Sequence, residues 1–323
     1  LRDLVERLPG KRYGIVHVDS PDPRGIDTAM LFNRARFSLL ESHAYKIPLK
    51  WGETRDILHS VLEDRDGSKL HVLVNHWPSR GGGIEESEPK RVVAARTLAK
   101  SIGRIFQREP AARIVVLGDF NDEPSDRSIR DVLDVEFYPA DSGAYDPAKI
   151  YNLASGKAQQ GWGSFYHSFE GNVEWRMYDQ IMASGALLQA AGSGHGEVSL
   201  WVDKPAFMVE EHGRDKGAPV PTFENQEDYL GGYSDHFPIG VRFAPAADAT
   251  ATAPAEQAPA TAPEAPAAET PAPVVVADET PAAPASKAAP AARSEAPAKK
   301  PAAAKRAPVA PSRPAVNDDP VYW

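Results

Sequence analysis

Residues 113–122 read Arg-Ile-Val-Val-Leu-Gly-Asp-Phe-Asn-Asp, and this stretch decides the fold. Its apolar, β-branched part, residues 114–117, predicts a strand that is buried on both faces. Asp119 and Asn121 follow at the end of the strand where open α/β sheets bind ligands. Two residues apart in an extended chain point to one side, so these polar groups can face a common site. A simple turn is the alternative, because Asp and Asn are also favoured in turns.

The apolar pattern outside this stretch predicts a mixed α/β domain. Residues 85–109 carry apolar side chains at a 3.6-residue period, which indicates a long helix. Residues 1–8 show one apolar helical face, and a short helix is expected to end at Leu133. Residues 139–161 and 192–232 are predicted to be irregular. Further strands are predicted at 13–18, 24–32, 57–63, 69–75, 164–169, 176–183 and 236–243.

The last 80 residues, 244–323, differ in composition from the domain before them. They hold 16 of the 30 prolines and are otherwise rich in Ala, Thr, Glu and Lys. Such a segment buries too little apolar surface to offset its ordering entropy, so we expect a disordered tail after a domain of residues 1–243. Basic residues at 299–300 and 305–306 could contact a surface or a partner, and a solvated linker is the alternative.

Charge and cysteine content exclude several classes of protein. The formal net charge is −9, and the tail holds nine acidic and seven basic residues, so the domain is acidic as well. This is not the footprint of a protein that coats nucleic acid, although a metal-held phosphate stays compatible with it. The absence of cysteine excludes disulfides and thiolate metal sites and leaves the compartment open. No run is long and apolar enough for a membrane span.

A second polar group follows the predicted strand at 69–75. Asn75 and His76 lie at its end, and Arg80 opens a glycine-rich loop. An arginine and the backbone amides of such a loop can bind an anion, so Asn75 and Arg80 are candidate substrate contacts. A histidine that caps the edge of the strand is the alternative for His76.

Two further groups come from the C-terminal half of the domain. Asp235 and His236 enter the last predicted strand, but adjacent residues point to opposite faces, so His236 needs another carboxylate to orient it. Asp179 offers one, because it interrupts an apolar strand where a carboxylate is costly unless paired. Pairing would fix the imidazole tautomer and raise its basicity. The alternative for Asp179 is an edge residue that faces water.

Taken in this order, the motifs resemble those of the endonuclease/exonuclease/phosphatase superfamily. It includes the pancreatic-type deoxyribonucleases, apurinic-site endonucleases and neutral sphingomyelinases. Gly118-Asp-Phe-Asn121 and Ser234-Asp-His236, with His76 before them, carry the resemblance over residues 13–243. It implies a deoxyribonuclease I-like, four-layer α/β sandwich, in which two packed mixed β-sheets are flanked by helices. It also implies Mg²⁺-dependent phosphoester hydrolysis by in-line attack of water.

The resemblance implies a role for each candidate catalytic residue. Asp119 would orient or deprotonate the water, and Asn121 would hold the water or a phosphate oxygen. His76 would stabilise the charge of the phosphorane-like transition state. His236, oriented by Asp179, would act as a base or contact the phosphate.

The metal site is the part of the family pattern that this chain matches least. Asp235 and Asp119 are the candidate ligands for Mg²⁺, which prefers carboxylate oxygens, and Mn²⁺ or Ca²⁺ are alternatives. The family also uses an Asn on its first strand and a Glu at the end of its second. Both precede a helix that corresponds to residues 1–8, and neither motif is present. This predicts an N-terminally incomplete domain. A protein that starts at Leu1 is expected to have weak or no activity and impaired folding, whereas a longer parent protein is expected to be active, and the second alternative is favoured.

These features predict a metal-dependent phosphoester hydrolase, with a nuclease or related phosphodiesterase ahead of other activities. The expected partner is a phosphoester substrate, with DNA or RNA as candidates. A phosphatase that acts on lipid or sugar phosphates is an alternative within the same class. A non-catalytic binding module tethered by the tail is the alternative from another class. The missing ligands favour that module, and the joint presence of the other site residues argues against it.

Overall fold

The computed structural model describes residues 1–139, 144–169, 172–192, 197–224 and 228–244. Within them, the helices are α1 (Arg2–Arg7), α2 (Ile84–Arg108), α3 (Ser155–Gln159) and α4 (Gly185–Gly192). The strands are β1 (Tyr13–His17), β2 (Ala29–Asn33), β3 (Phe37–Tyr45), β4 (Ile57–Asp64), β5 (Lys69–His76), β6 (Ile114–Asp119), β7 (Glu136–Phe137), β8 (Ile150–Asn152), β9 (Phe165–Phe169), β10 (Asn172–Arg176), β11 (Asp179–Ser184), β12 (Glu197–Val202), β13 (Phe223–Glu224), β14 (Asp228–Tyr229) and β15 (Ile239–Ala244). Short 3₁₀ segments occur at Pro9–Lys11 and Ala206–Met208, and a π-helical turn occurs at Ser128–Val132.

A mixed seven-stranded sheet forms the centre of the domain, in the order β3-β4-β5-β6-β11-β8-β7. β5 and β6 are parallel, and α2 connects them, because parallel neighbours need a long crossover. β11 pairs antiparallel with β6 on the other side. The carboxyl ends of β5 and β6 therefore lie side by side, next to the first residue of β11. Outside this sheet, β1 pairs with β2, β9 with β10, β12 with β15, and β13 with β14.

Both faces of the central sheet are covered, as the apolar run in β6 predicts. Val116 belongs to a buried cluster with Leu98 of α2. Val115 belongs to a second cluster, which includes Leu200 of β12 and Val241 of β15. Because successive strand residues alternate in direction, one strand contributes to both cores. The domain is thus an α/β sandwich of packed sheets and helices, which is the fold class that the sequence predicts.

Several elements depart from the pattern that the sequence predicts. β3 and β12 lie where no strand is predicted, and β8 and α3 lie within the segment 139–161 that is predicted to be irregular. The strand expected at 24–32 begins only at Ala29. β12 is fixed by its pairing with β15, a partner distant in sequence, and local patterns carry little information on such pairings. α1 has the expected apolar face, but none of its residues is buried.

The predicted tail, 244–323, lies outside the described residues except for Ala244, the last residue of β15. Its disorder therefore stays a prediction. Among the helices of the described segments, none combines the length and the apolar character of a membrane span.

Candidate active site

Three candidate side chains lie in one row across the central sheet. The parallel pairing of β5 and β6 sets His76 beside Asp119, and the antiparallel pairing of β6 and β11 sets Asp119 beside Asp179. His76 Nε2 lies 3.4 Å from Asp119 Oδ2. The register of three neighbouring strands thus brings together residues that are more than a hundred positions apart in sequence.

The backbone around Asp119 is tightly folded, and two residues permit this. Gly118 has a φ of 132°, and a Cβ at this position would lie 1.9 Å from the carbonyl oxygen of Asn75, so only glycine fits. Asn121 has a φ of 51°, a left-handed conformation that Asn tolerates. Its backbone N–H donates to Asp119 Oδ1 at 2.8 Å, and its side-chain amide donates to Asp119 Oδ2 at 2.8 Å. Asn121 thereby fixes the orientation of the carboxylate.

His236 reaches the row from a distant part of the chain. Its Nδ1 donates a hydrogen bond to Asp179 Oδ2 at 2.5 Å, which is the pairing that the sequence predicts. The imidazole packs against Phe165 with ring centroids 4.8 Å apart, and the two residues form a β-bridge. The Nε2 atom of His236 has no hydrogen-bond partner among the described residues. One ring nitrogen is therefore held in place while the other is left for a ligand.

Asp179 is paired with His236, whereas Asp119 has, among the described residues, only the uncharged imidazole of His76 within ion-pair distance. Burial, together with the charge of Asp179, raises the pKa of Asp119 to about 7. Burial lowers the pKa of His76 to about 4, and the positive charge of Arg55 acts in the same direction. Burial also disfavours the charged form of His236, but its hydrogen bond to Asp179 and the surrounding carboxylates prevail and raise its pKa to about 9. A bound cation would relieve the repulsion between the two carboxylates.

The same residues offer a ligand set for a divalent cation. Ligand atoms of Asp119, Asp179 and His236 all lie within 4.8 Å of one another. Two carboxylates supply hard oxygen donors of the kind that Mg²⁺ prefers, so the residues fit such an ion. Asp235, the other predicted ligand, is exposed and lies outside this group, although its charge raises the pKa of His236. A second group with the same proximity consists of His17, Asp19 and Asp27.

The two predicted substrate contacts make hydrogen bonds inside the protein. Asn75 is 2% exposed; its amide donates to a carbonyl of its own strand at 3.1 Å, and its side-chain oxygen accepts from Trp77 Nε1 at 3.1 Å. Arg80 donates through Nε to the Asn121 carbonyl at 2.8 Å and through Nη2 to Asp122 Oδ1 at 2.9 Å. Both residues therefore position the strand end and the loop that follows it. A direct substrate contact by either stays a prediction.

Asp122, three residues after Asp119, lies in a contrasting environment. Arg91 Nε lies 2.6 Å from Asp122 Oδ1, and Arg80 Nη2 lies 2.9 Å from the same oxygen. Ser128 Oγ donates to the other oxygen, Oδ2, at 2.5 Å. Asp122 is 2% exposed and Arg91 is fully buried. This carboxylate is neutralised within the protein and is not available to a ligand.

The sequence profile of the Endonuclease/Exonuclease/phosphatase family matches residues 1–244. The chain belongs to this family. Members of the family are generally hydrolases of the nuclease or phosphatase type. The matched range contains the whole row at the strand ends together with His236, so the candidate site lies within the family domain.

Solved structures of family members resemble the chain at low sequence identity. A truncated TDP2 from Caenorhabditis elegans is 17% identical, with a TM-score of 0.48 over 74% of this chain and 77% of that chain. A mannosyl-6-phosphatase from Bacteroides thetaiotaomicron is 17% identical, with a TM-score of 0.44 over 75% of this chain and 80% of that chain. The human nocturnin catalytic domain with bound sulfate is 18% identical, with a TM-score of 0.40; the alignment covers 57% of this chain and 63% of that chain. No curated protein sequence matches the chain significantly.

Two residues that shape the site of this family member have almost no local signal in the sequence. Arg55 is 3% exposed; its Nη2 donates to the Trp77 carbonyl at 2.7 Å, and its Nη1 pairs with Asp22 Oδ2 at 3.1 Å. Tyr178 is buried, and the guanidinium carbon of Arg80 lies 4.9 Å from its ring centroid. A basic residue directly before an apolar strand is the one hint of Arg55. Its partner, 33 residues away, becomes visible only in the fold.

Proposed function

We propose that the protein hydrolyses phosphodiesters with the aid of a divalent cation, with nucleic acid as the leading substrate class. The observation that carries this proposal is the row His76, Asp119 and Asp179, with His236 held 2.5 Å from Asp179. A water-orienting carboxylate, two imidazoles and a potential metal-ligand set thus share one edge of the sheet. Membership of a family of nucleases and phosphatases supports the same reaction class.

Each residue of the row has a part in the proposed reaction. Asp119 orients the attacking water, and the two hydrogen bonds from Asn121 hold its carboxylate in one position. Such positioning supplies much of the rate enhancement in phosphoryl transfer. His76 stabilises the negative charge that develops on the phosphoryl oxygens. His236, held at Nδ1 by Asp179, presents Nε2 to a phosphate oxygen or to the leaving oxygen.

Carboxylate oxygens of Asp119 and Asp179 would hold the cation, with Asp235 as a further ligand that the sequence predicts. When bound, a divalent cation polarises the phosphoryl group and stabilises charge on the leaving oxygen. Mg²⁺ is the leading candidate because the donors are carboxylate oxygens, and Mn²⁺ and Ca²⁺ accept donors of the same kind.

Hydrolysis of bis-nitrophenyl phosphate and of plasmid DNA tests this proposal. The protein is assayed with any residues that its gene encodes ahead of Leu1. We expect turnover with Mg²⁺ that EDTA abolishes. His236→Ala and Asp119→Ala should each lower kcat/KM by about 10²- to 10⁴-fold, because each removes an interaction made mainly in the transition state. Near-normal rates in either variant would contradict the site assignment.

The same assay separates the alternatives. Turnover of sugar or lipid monoesters without diester hydrolysis would change the assignment to a phosphatase. A folded protein that hydrolyses no phosphoester with any divalent cation would favour the non-catalytic binding module. Lys90→Ala is a matched control, because Lys90 is exposed on α2 and has no part in the row. This variant should keep the wild-type rate.

A further inference from the structure

A row of basic side chains follows one side of α2. Arg96, Lys100, Arg104 and Arg108 are spaced four residues apart, so they lie on one face of the helix. All four are exposed, and none forms an ion pair or a hydrogen bond with another residue of the described segments. Like charges at this spacing repel one another and weaken a helix. The chain has a net charge of −9, so this concentration of positive charge runs against its composition.

The basic row forms one wall of a groove between α2 and β3. Two adjoining cavities of about 570 Å³ and 540 Å³ share Ala44, Tyr45 and Arg104. Lys46 lies on the opposite wall of the second cavity, where its Nζ is paired with Glu53 Oε1 at 3.2 Å. Consecutive members of the basic row are about 6 Å apart along the helix axis, so the row spans about 18 Å. The groove therefore presents an elongated positive surface, which suits a linear polyanion better than a single phosphate.

Acidic residues are confined to one end of this groove. Glu41 and Glu109 line the larger cavity. Glu109 is already engaged, since its carboxylate lies 3.9 Å from Lys69 Nζ and 3.5 Å from His71 Nε2. Among the described residues that line the smaller cavity, none is acidic. The positive wall is therefore uninterrupted from Arg96 to Arg104.

Aromatic surface accompanies the positive charge. Tyr45 lines both cavities; its side chain is half-buried, and its ring stacks on His59 with centroids 5.8 Å apart. Trp51, on the segment that continues from β3, lines neither cavity; it is 74% exposed, and Lys50 Nζ lies 5.2 Å from its ring centroid. Exposed aromatic rings beside basic residues are typical of surfaces that bind single-stranded nucleic acid, because bases stack on the rings while phosphates contact the cations. An acidic peptide has no bases to stack, and a membrane surface is too flat to enter a groove.

We propose that this groove binds a segment of single-stranded nucleic acid at a second site, which shares no residue with the row at the strand ends. The phosphates contact Arg96, Lys100 and Arg104, and a base contacts the ring of Tyr45, which lines both cavities. The choice of nucleic acid among linear polyanions rests on the proposed function. Binding in the groove does not itself require hydrolysis, so the two proposals can fail separately.

Fluorescence anisotropy of a short labelled oligothymidylate, measured in EDTA to prevent cleavage, tests the groove. We expect wild-type protein to bind with an affinity that falls as salt concentration rises. The double variant Lys100→Glu/Arg104→Glu should weaken binding by about tenfold or more and reduce the salt dependence. Lys90→Glu/Lys216→Glu is the matched control, because it makes the same change in net charge at exposed positions away from the groove. It should weaken binding by less than about twofold.

Three results would overturn the inference. They are no binding of the oligonucleotide by the wild-type protein, an equal loss of affinity in the two double variants, or displacement of the labelled oligonucleotide by polyglutamate as effectively as by unlabelled oligothymidylate. Sedimentation with phosphatidylserine vesicles in the absence of oligonucleotide binding would assign the groove to a membrane surface instead. Hydrolysis of bis-nitrophenyl phosphate by the same variants should be unchanged. If the protein hydrolyses no phosphoester but oligonucleotide binding still depends on Lys100 and Arg104, the proposed reaction is wrong and the proposed binding site is retained.

Discussion

Asp119 and Asp122 follow the same strand three residues apart, yet their surroundings are opposite. Asp122 is buried against two arginines, and its charge is neutralised within the protein. Asp119 lies beside a second carboxylate, Asp179, and among the described residues no arginine or lysine reaches it within ion-pair distance. A carboxylate paired internally contributes to the fold. A pair of carboxylates left with excess negative charge costs stability, and it marks a place where a cation or another ligand binds.

The largest expected effect separates the two aspartates by activity. Asp119→Asn should lower the rate of phosphodiester hydrolysis by about 10²- to 10⁴-fold, because the water loses its orienting carboxylate. The free energy of unfolding should change by less than about 1 kcal/mol, because the lost repulsion with Asp179 offsets the loss of one hydrogen bond from Asn121. Kinetics and urea unfolding on the same preparation check both expectations. A large loss of stability in this variant would break the comparison.

Asp122→Asn should show the reverse pattern. Arg91 would be left without its carboxylate, whereas Arg80 would keep Asp126, and breaking a buried ion pair costs about 3–5 kcal/mol. The activity of the fraction that stays folded should change little. Urea unfolding measures the cost, and a loss below about 1 kcal/mol would place this cluster with ordinary exposed ion pairs.

Asp179→Asn sharpens the comparison inside the row. The asparagine keeps the shape but no longer fixes the tautomer of His236 as a carboxylate does, so we expect a loss of about a hundredfold in kcat. At saturating Mg²⁺, KM should change less, because Asp179 acts through His236 and the cation rather than on the substrate. Steady-state kinetics separate the two parameters. Equal rates in wild type and variant would show that the 2.5 Å contact has no part in the reaction.

The smallest expected effect is a pH dependence of stability, which comes from a third buried polar cluster around His59. His59 Nδ1 is bonded to Tyr45 Oη at 3.0 Å, and its Nε2 lies 3.0 Å from His71 Nδ1, with His43 and Glu41 nearby. Burial, with the two neighbouring histidines, lowers the pKa of His59 to about 4. Protonation therefore favours the unfolded state. Neutral His59 makes its full contribution to the free energy of unfolding above pH 6.5, and this contribution is lost as the pH falls towards 4.

When the pH falls from 7 to 5, we expect protonation linked to His59 to lower the free energy of unfolding by about 2 kcal/mol. Urea unfolding of wild type and His59→Gln over this pH range isolates the contribution of His59. The free energy of unfolding should depend less steeply on pH in the variant. Parallel slopes would contradict the assignment. Activity at constant folded fraction should not differ, since this cluster, like Asp122, belongs to the fold.

The sequence predicts the row better than it predicts the residues that support the row. Asp119, Asp179 and His236 carry recognisable signals, because an apolar strand that ends in polar groups, or is interrupted by one, is unusual. Asn75 and Arg80 carry signals of the same kind, but their hydrogen-bond partners decide whether each side chain faces substrate or protein. Asn75 is held by Leu73 and Trp77, and Arg80 by a residue 41 positions away. Local patterns do not contain that information.

The same limit applies to the fold. Regular elements such as α2 and β6 are predictable, because α2 buries a periodic apolar face and β6 is a continuous apolar run buried on both faces. β12 is held by its pairing with β15, and β3 is an outer strand of the central sheet, so neither shows a strong local pattern. Distant pairing partners, rather than local propensity, fix these strands.

Binding of Mn²⁺, followed by the electron paramagnetic resonance signal of the free ion, shows whether Asp119, and not Asp122, holds a cation. Asp27→Asn controls for the second ligand group at β1, and Asp122→Asn is measured at a temperature where it is folded. Wild type and both of these variants should remove a Mn²⁺ ion from solution, whereas Asp119→Asn should bind it at least about tenfold more weakly. Equal binding by wild type and Asp119→Asn would show that Asp119 does not hold the cation.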